Sequence, residues 1–176
     1  MSHLVLIGLM GSGKTTVGRL VAATLGRPFL DNDALLQGRS GTSARDIEEG
    51  AGPDALHDQE AAVLLDALAT PQAAVIAAAA GAVLHPRVVA AWRGLDVVYL
   101  RATPAVLAAR LEAEQRTATD DHHRPFVEGS DGDTEAVLRA QFDARDQGFR
   151  TAATLTVDAD ASAETVAAEI TSAVAR

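Results

Sequence analysis

Residues Gly8 to Thr15 combine three glycines, a lysine and a hydroxyl group in a spacing that suits phosphate binding. The stretch follows the pattern G-x-x-x-x-G-K-T, in which glycines allow the backbone to turn successive N–H groups toward an anion. Lys14 is the only lysine of the chain. In such loops the lysine lies beside the β- and γ-phosphates of a nucleotide, and the hydroxyl that follows it faces Mg²⁺. The pattern therefore predicts a nucleotide-binding loop.

The residues on either side of the loop favour this prediction over its alternative, a glycine-rich turn in a plain α/β protein. Residues 3–7 form an apolar run of strand length, and apolar residues recur at helical spacing from Val17 to Leu25. Gly26 stands where a helix would end. A strand, a glycine loop and a helix in this order aim the positive end of the helix at the bound phosphate.

Two carboxylates follow the next apolar run, in the stretch Phe29-Leu30-Asp31-Asn32-Asp33. Ligands of open parallel sheets bind at the carboxyl ends of the strands. Asp31 and Asp33 would face the same side if the strand continued. One could orient Mg²⁺ through its water shell, and the other could accept the proton of an attacking hydroxyl. Alternatively, Asp33 serves only as the N-cap of a helix that starts at Ala34.

Strand-like runs alternate with segments of helical periodicity along the whole chain. The runs lie at 3–7, near 28–30, at 73–77, at 96–100 and at 153–157. This alternation predicts an α/β fold, with a five-stranded, mainly parallel sheet and helices on both faces. The polar stretch 114–134 interrupts the pattern, and a loop of this length in a compact protein is often functional.

Composition narrows the range of partners. The chain has 176 residues, which favours one domain over 1–176, and its net charge of −9 argues against nucleic acid or an anionic membrane as main partner. It has no cysteine, so disulfides and thiolate metal sites are excluded. No apolar run is long enough to cross a membrane, and the N-terminus does not read as a signal peptide. We expect a cytoplasmic protein that acts on a small molecule.

Taken together, these motifs resemble those of the shikimate kinase family over essentially the whole chain. The opening from Leu6 to Arg19 is very similar to that of the family, and Phe29–Asp33 matches its acidic pair. Arg124-Pro125 matches the Arg-Pro of its mobile lid, and Val157-Asp158 with Ser162 resembles its adenine loop. The resemblance implies a P-loop kinase fold of the nucleoside-monophosphate-kinase type, acting with ATP and Mg²⁺. Since family members are often monomers, we expect a monomer.

The resemblance also implies regions and residue roles. A helical substrate-binding region would span about 32–62, and a lid would span about 114–130. Three residues would carry catalysis: Lys14, Asp33 and Arg124. The nucleotide would be held by the loop residues Gly11, Ser12, Gly13, Lys14, Thr15 and Thr16 together with Arg110. Mg²⁺ would be bound at Thr15 and Asp31. The acceptor would contact Asp33, Glu48, His57, Ala80, Gly81 and Arg145.

The substrate half departs from the pattern of the family. Leu56-His57 stands in place of a Phe-Arg pair whose arginine binds the carboxylate of shikimate, and Glu48 stands in place of a phenylalanine. Ala79-Ala80-Gly81 replaces three glycines, so two β-carbons stand where backbone would approach the substrate. The lid is longer by several residues, with an insert at 117–123. An imidazole does not replace a bidentate guanidinium without loss.

Three functions remain open at this point. The sequence favours a kinase for a neutral or amine-bearing alcohol other than shikimate, because the pocket loses an arginine and gains a glutamate. The second hypothesis is a genuine shikimate kinase. The third, a nucleotide-binding module without transfer activity, is disfavoured because Lys14, Thr15, Asp31 and Asp33 are all present.

Overall fold

A parallel five-stranded sheet forms the centre of the protein. The computed structural model describes residues 2–117 and 133–174. The strands are β1 (Leu4–Ile7), β2 (Phe29–Asp31), β3 (Val75–Ala77), β4 (Asp96–Arg101) and β5 (Leu155–Asp158). Their order in the sheet is β2-β3-β1-β4-β5, and every neighbouring pair is parallel. The predicted α/β fold class is confirmed, and each strand lies within a few residues of its predicted position.

Helices connect the strands, as parallel pairing requires. They are α1 (Lys14–Leu25), α2 (Asn32–Ser40), α3 (Ala44–Ala51), α4 (Pro53–Leu68), α5 (Pro86–Ala91), α6 (Pro104–Thr117), α7 (Thr134–Ala152) and α8 (Ala163–Val174). A short 3₁₀ turn, Ala82–Leu84, follows β3. Helix α1 ends at Gly26, whose φ of 62° lies in the left-handed region, as predicted. Within 2–117 and 133–174, no helix is both long and apolar enough to span a membrane.

The core is mostly aliphatic, and the inner strands of the sheet are buried on both faces. All four residues of β1 are buried, as are the three of β3. Inner strands of a parallel sheet therefore appear in the sequence as continuous apolar runs rather than as alternating patterns. The carboxyl ends of β1, β2 and β3 lie side by side, and the three loops that follow them meet at this edge of the sheet.

Tight packing between α1 and β2 leads to a stability prediction at Gly18. A Cβ at this position would lie 2.4 Å from the Phe29 ring and 3.1 Å from Leu6 Cδ1. We expect Gly18→Ala to lower the free energy of unfolding by about 1–3 kcal/mol, despite the better helix propensity of alanine. The matched control is Gly38→Ala in α2, where a Cβ would meet nothing within 4 Å. Urea titration of both variants tests this, and a stabilised Gly18→Ala would contradict it.

Candidate active site

The loop between β1 and α1 has a backbone that only glycine adopts without strain at three positions. The φ angles of Gly8, Gly11 and Gly13 are 146°, 77° and 91°. At Gly8 space is limiting as well, because a Cβ would lie 2.7 Å from the backbone carbonyl oxygen of Leu100. Gly13 is the N-cap of α1 and offers no side-chain cap. The first N–H groups of α1 therefore stand at the loop, where helix geometry favours an anion.

The side chains of this loop are arranged around its backbone. Lys14 Nζ donates hydrogen bonds to the carbonyl oxygens of Gly8 and Leu9, at 2.9 and 3.0 Å. These contacts hold the ammonium group at the loop. Ser12 is buried, and its side chain packs beside Gly8. Its backbone N–H donates to the carbonyl oxygen of Leu9 at 3.2 Å, within the loop.

Asp31 links the loop to the end of β2. The Thr15 hydroxyl donates to Asp31 Oδ2 at 2.7 Å, and the backbone N–H of Asp33 donates to Asp31 Oδ1 at 3.1 Å. One expectation from the sequence placed Asp33 on a continuation of the strand. The strand ends at Asp31 instead, because α2 begins at Asn32. The N-cap of α2 is Asp31 rather than Asp33. Asp33 instead lies in the first turn of α2.

Thr15 and Asp31 stand together as the predicted pair of magnesium ligands. Their side-chain oxygens are 2.7 Å apart, so both could face one cation or its water shell. Over the two described ranges, no group of three or more histidine, cysteine, aspartate and glutamate side chains is gathered in a way that could hold a metal ion. A pair of oxygen ligands suits Mg²⁺, which keeps several waters and binds through few protein groups.

Charged side chains from four other helices act on the carboxyl group of Glu60 in α4. Burial raises the pKa of its carboxyl to about 7, and the negative charges of Asp33 and Glu48 add to this effect. The positive charges of Arg145 and Lys14 oppose it. The nucleotide loop, the acidic residue after β2 and the late arginine therefore lie close enough to Glu60 for their charges to act on it. We call the region around Glu60 the acceptor pocket.

Arg145 of α7 supplies a positive charge on the acceptor side of this pocket. Its side chain is half-buried, and burial lowers the pKa of the guanidinium, while the carboxylate of Glu60 acts in the opposite direction. Arginine remains charged at any ordinary pH even so. The pocket therefore keeps a guanidinium that could bind a carboxylate or a phosphoryl group.

His57 and Gly81 are direct neighbours across the pocket wall. A Cβ on Gly81 would lie 3.0 Å from His57 Cδ2 and 3.6 Å from Glu60 Oε2. Gly81 has φ −80° and ψ −13°, an ordinary helical conformation. A glycine is therefore needed here for space rather than for backbone conformation. Among the described residues only glycines have positive φ, so Ala79 and Ala80 sit in this loop without such strain.

Arg110 and the segment after β5 also come together. Arg110 Nη2 donates to the carbonyl oxygen of Ala161 at 3.2 Å. This contact joins α6 to the segment between Asp158 and Ser162, which the sequence assigned to the nucleotide base. Two parts of the chain that the resemblance assigned to the adenine, 51 residues apart in sequence, are thus in contact.

Part of the predicted lid belongs to a helix. Residues 114–117, which the resemblance assigned to the start of the lid, form the last turn of α6. Arg124, the remaining residues of the lid and nearly all of the insert at 117–123 lie outside the described residues. Thr16 is exposed on the first turn of α1, beside the loop.

Glu60 is the member of this pocket that the sequence motifs missed. It follows His57 by three residues on α4, so both side chains lie on the same side of the helix. The feature of the sequence that could have indicated its role is a glutamate next to a largely apolar stretch of helix. Its importance became visible only when Asp33, Glu48 and Arg145 were placed around it.

Comparison with known proteins agrees with this geometry. The family model described as shikimate kinase matches residues 10–175. The shikimate kinase of Burkholderia thailandensis is 37% identical over 158 residues, covering 89% of this chain and 80% of that protein. That of Thioalkalivibrio sulfidiphilus is 36% identical over 160 residues, covering 90% of this chain and 79% of that protein.

A solved structure gives the same result. The shikimate kinase of Acinetobacter baumannii in complex with shikimate superposes with a TM-score of 0.88 and 28% sequence identity. The match covers 99% of this chain and 93% of that one. The protein belongs to the shikimate kinase family and is an ATP-dependent small-molecule kinase.

Proposed function

We propose that the protein phosphorylates a hydroxyl group of shikimate with ATP as the donor. The observation that carries this proposal is the placement of Arg145 in a pocket with Asp33, Glu60 and Lys14, since shikimate carries both a carboxylate and ring hydroxyls. The Acinetobacter baumannii structure, which contains shikimate, supports the same acceptor. These points favour shikimate over the other alcohols that the sequence favoured.

The residues at the loop fit ATP and Mg²⁺. Positive φ at Gly8, Gly11 and Gly13 gives the loop a backbone shape that suits an anion, and the oxygens of Thr15 and Asp31 are the type of ligand that Mg²⁺ prefers. When bound, the magnesium nucleotide supplies the phosphoryl group and neutralises part of its charge. The backbone N–H groups from Gly11 to Thr15 would hold the phosphates. Thr15 and Asp31 would hold the cation, and Arg110 would lie beside the base.

The described site residues would have separate roles in phosphoryl transfer. Lys14 neutralises negative charge that develops on the phosphate oxygens. Asp33 orients the acceptor hydroxyl and accepts its proton, while the oxygen forms a bond to the γ-phosphorus and the bond from that phosphorus to the β-γ bridging oxygen breaks, releasing ADP. Arg145 binds the carboxylate of the acceptor. We further propose that Arg124 steadies the transferred group, as the family motif implies.

A second candidate acceptor is a neutral or amine-bearing alcohol. The observation that favours it is the excess of carboxylates on the acceptor side, where the negative charges of Asp33 and Glu48 act on Glu60 together with the positive charge of Arg145. An ammonium group would bind well in such a field, whereas a carboxylate needs Glu60 in its neutral form.

The experiment that separates these candidates measures ADP release by the purified protein with MgATP. Shikimate is compared with a panel of polyols, amino acids and aminocyclitols, and the phosphorylated product is identified by mass spectrometry. A kcat/KM for shikimate at least about tenfold above that of every other acceptor supports the proposal. Turnover of an amine-bearing alcohol without turnover of shikimate would overturn it in favour of the second candidate.

The protonation of Glu60 predicts how acceptor binding depends on pH. With a pKa of about 7, Glu60 is mostly neutral below this pH and ionised above it. A carboxylate acceptor binds better to the neutral form, so KM for shikimate should rise between about pH 6 and pH 8.5. The increase should not exceed about tenfold per pH unit, because a single group titrates. An amine-bearing acceptor would show the opposite trend.

The source of this pH dependence is tested by Glu60→Gln, which should flatten the KM profile for shikimate. The matched control is Glu49→Gln in α3, an exposed glutamate paired with Arg45, which should leave the profile unchanged. A profile that is the same in wild type and Glu60→Gln would assign the titration to another group.

A further inference from the structure

Asp146 of α7 is the centre of a hydrogen-bond network that joins this helix to the sheet. Its Oδ1 accepts from the Tyr99 hydroxyl at 2.9 Å and from Arg101 Nε at 3.0 Å, and both donors belong to β4. Its Oδ2 accepts from Arg150 Nε at 2.8 Å, within α7 itself. Burial alone would raise the pKa of Asp146, but hydrogen bonds from Arg150, Tyr99 and Arg101 hold it below its ordinary value. The carboxylate is thus a charged acceptor for three donors.

Aromatic contacts reinforce this network on the same face of α7. The Tyr99 ring stacks on Phe149, with ring centres 4.9 Å apart. The Arg101 guanidinium lies over the Phe142 ring, 4.8 Å from its centre. Residues 142, 146 and 149 are spaced by four and three, so they share the helix face that meets β4.

A neighbouring face of α7 meets the acceptor pocket. The charge of Glu60 acts on Arg145, and a Cβ on Gly148, three residues later, would lie 3.5 Å from Val83 Cγ2 of the 3₁₀ turn. Consecutive residues of a helix differ by roughly 100° in direction. A rotation of α7 about its axis would therefore move Arg145 directly, and the contacts on the β4 face oppose such a rotation.

We propose that Asp146 is a positioning residue for the acceptor: by binding Tyr99 and Arg101 of β4, it fixes the rotation of α7 and so directs Arg145 into the acceptor pocket. This inference rests on the proposed function, because it assigns to Arg145 the carboxylate of the acceptor. Asp146 itself acts through Arg145 and does not contact the acceptor.

The test is a double-mutant cycle on KM for shikimate, with KM for ATP measured in parallel. Asp146→Ala should raise KM for shikimate by about tenfold and leave KM for ATP within about twofold. In an Arg145→Ala background, the same Asp146 substitution should change KM for shikimate by less than about twofold, because the group it positions is gone. Tyr99→Phe keeps the ring on Phe149, removes one hydrogen bond to Asp146 and should show the same pattern with a smaller increase.

The matched control is Arg150→Gln, which removes a partner of Asp146 within α7 but no link to β4. It should leave KM for shikimate within about twofold of wild type. Equal losses from Asp146→Ala in both backgrounds would overturn the positioning role and indicate a general effect on folding. If Asp146→Ala does not fold, Tyr99→Phe in the two backgrounds decides in the same way. A wild-type protein without turnover of shikimate overturns the proposed function and this inference with it, whereas wild-type turnover with unchanged KM in the variants overturns this inference alone.

Discussion

Lys14→Ala should reduce kcat/KM for phosphoryl transfer by about 10³-fold or more. The ammonium is held at the loop by the carbonyl oxygens of Gly8 and Leu9, where it can neutralise charge that develops on the phosphates. No other lysine exists in the chain to take its place. Steady-state kinetics with MgATP and shikimate measure the loss. Lys14→Arg should recover only part of it, because a planar guanidinium does not occupy the place of a compact ammonium.

The matched control for Lys14 is Arg19→Ala on the same helix. Arg19 is an exposed cation, with its guanidinium 6.0 Å from the centre of the Phe29 ring and away from the loop. It should change kcat/KM by less than about threefold, since exposed charges contribute little. Transfer that survives Lys14→Ala to within about tenfold would mean that the catalytic centre lies elsewhere.

Asp33→Asn should lower kcat by about 10²–10⁴-fold while KM for ATP changes little. The amide keeps the shape of the side chain but cannot accept the proton of the acceptor hydroxyl. The substitution also removes an acidic group from the first turn of α2, which should lower the free energy of unfolding by about 0.3–1 kcal/mol. Single-turnover kinetics report the chemical step, and thermal unfolding reports the stability change.

Asp54→Asn is the matched control for Asp33. Asp54 is an exposed acid in the first turn of α4, so its loss reproduces the effect on a helix terminus without the chemistry. It should leave kcat within about twofold of wild type. If Asp33→Asn behaves like this control, Asp33 would act only by stabilising the first turn of α2 and not as the proton acceptor.

The nucleotide half of the site was largely predictable from local patterns. The site here is one continuous segment: a strand, three glycines with positive φ, and Lys14 at the start of α1. Its residues are close in space because they are close in sequence. The exact end of β2 was not predictable in the same way. A helix begins at Asn32 and makes Asp31 its cap, because an Asp side chain that accepts from a backbone N–H two residues later competes with continuation of the strand.

The acceptor half of the site could be assigned only through the family resemblance, position by position. The replacement of two family residues by Glu48 and His57 favoured an acceptor other than shikimate, whereas the relatives that this chain resembles are named shikimate kinases. The proximity of Arg145 to Glu60 is not visible in any local pattern, since α7 and α4 contribute one charge each from positions 85 residues apart, the difference between 145 and 60. The single domain over 1–176, the monomeric state and the cytoplasmic location stay predictions.

The sequence by itself determined the phosphate-binding loop, the acidic residues after β2 and the alternation of strands and helices, because each depends on neighbours within a few residues. The tertiary structure decided the strand order β2-β3-β1-β4-β5, the gathering of charges around Glu60 and the attachment of α7 to β4 through Asp146. These arrangements depend on which helix face is buried and which strands pair at long range. Burial and pairing are properties of the whole packed chain, and a short sequence window does not contain them.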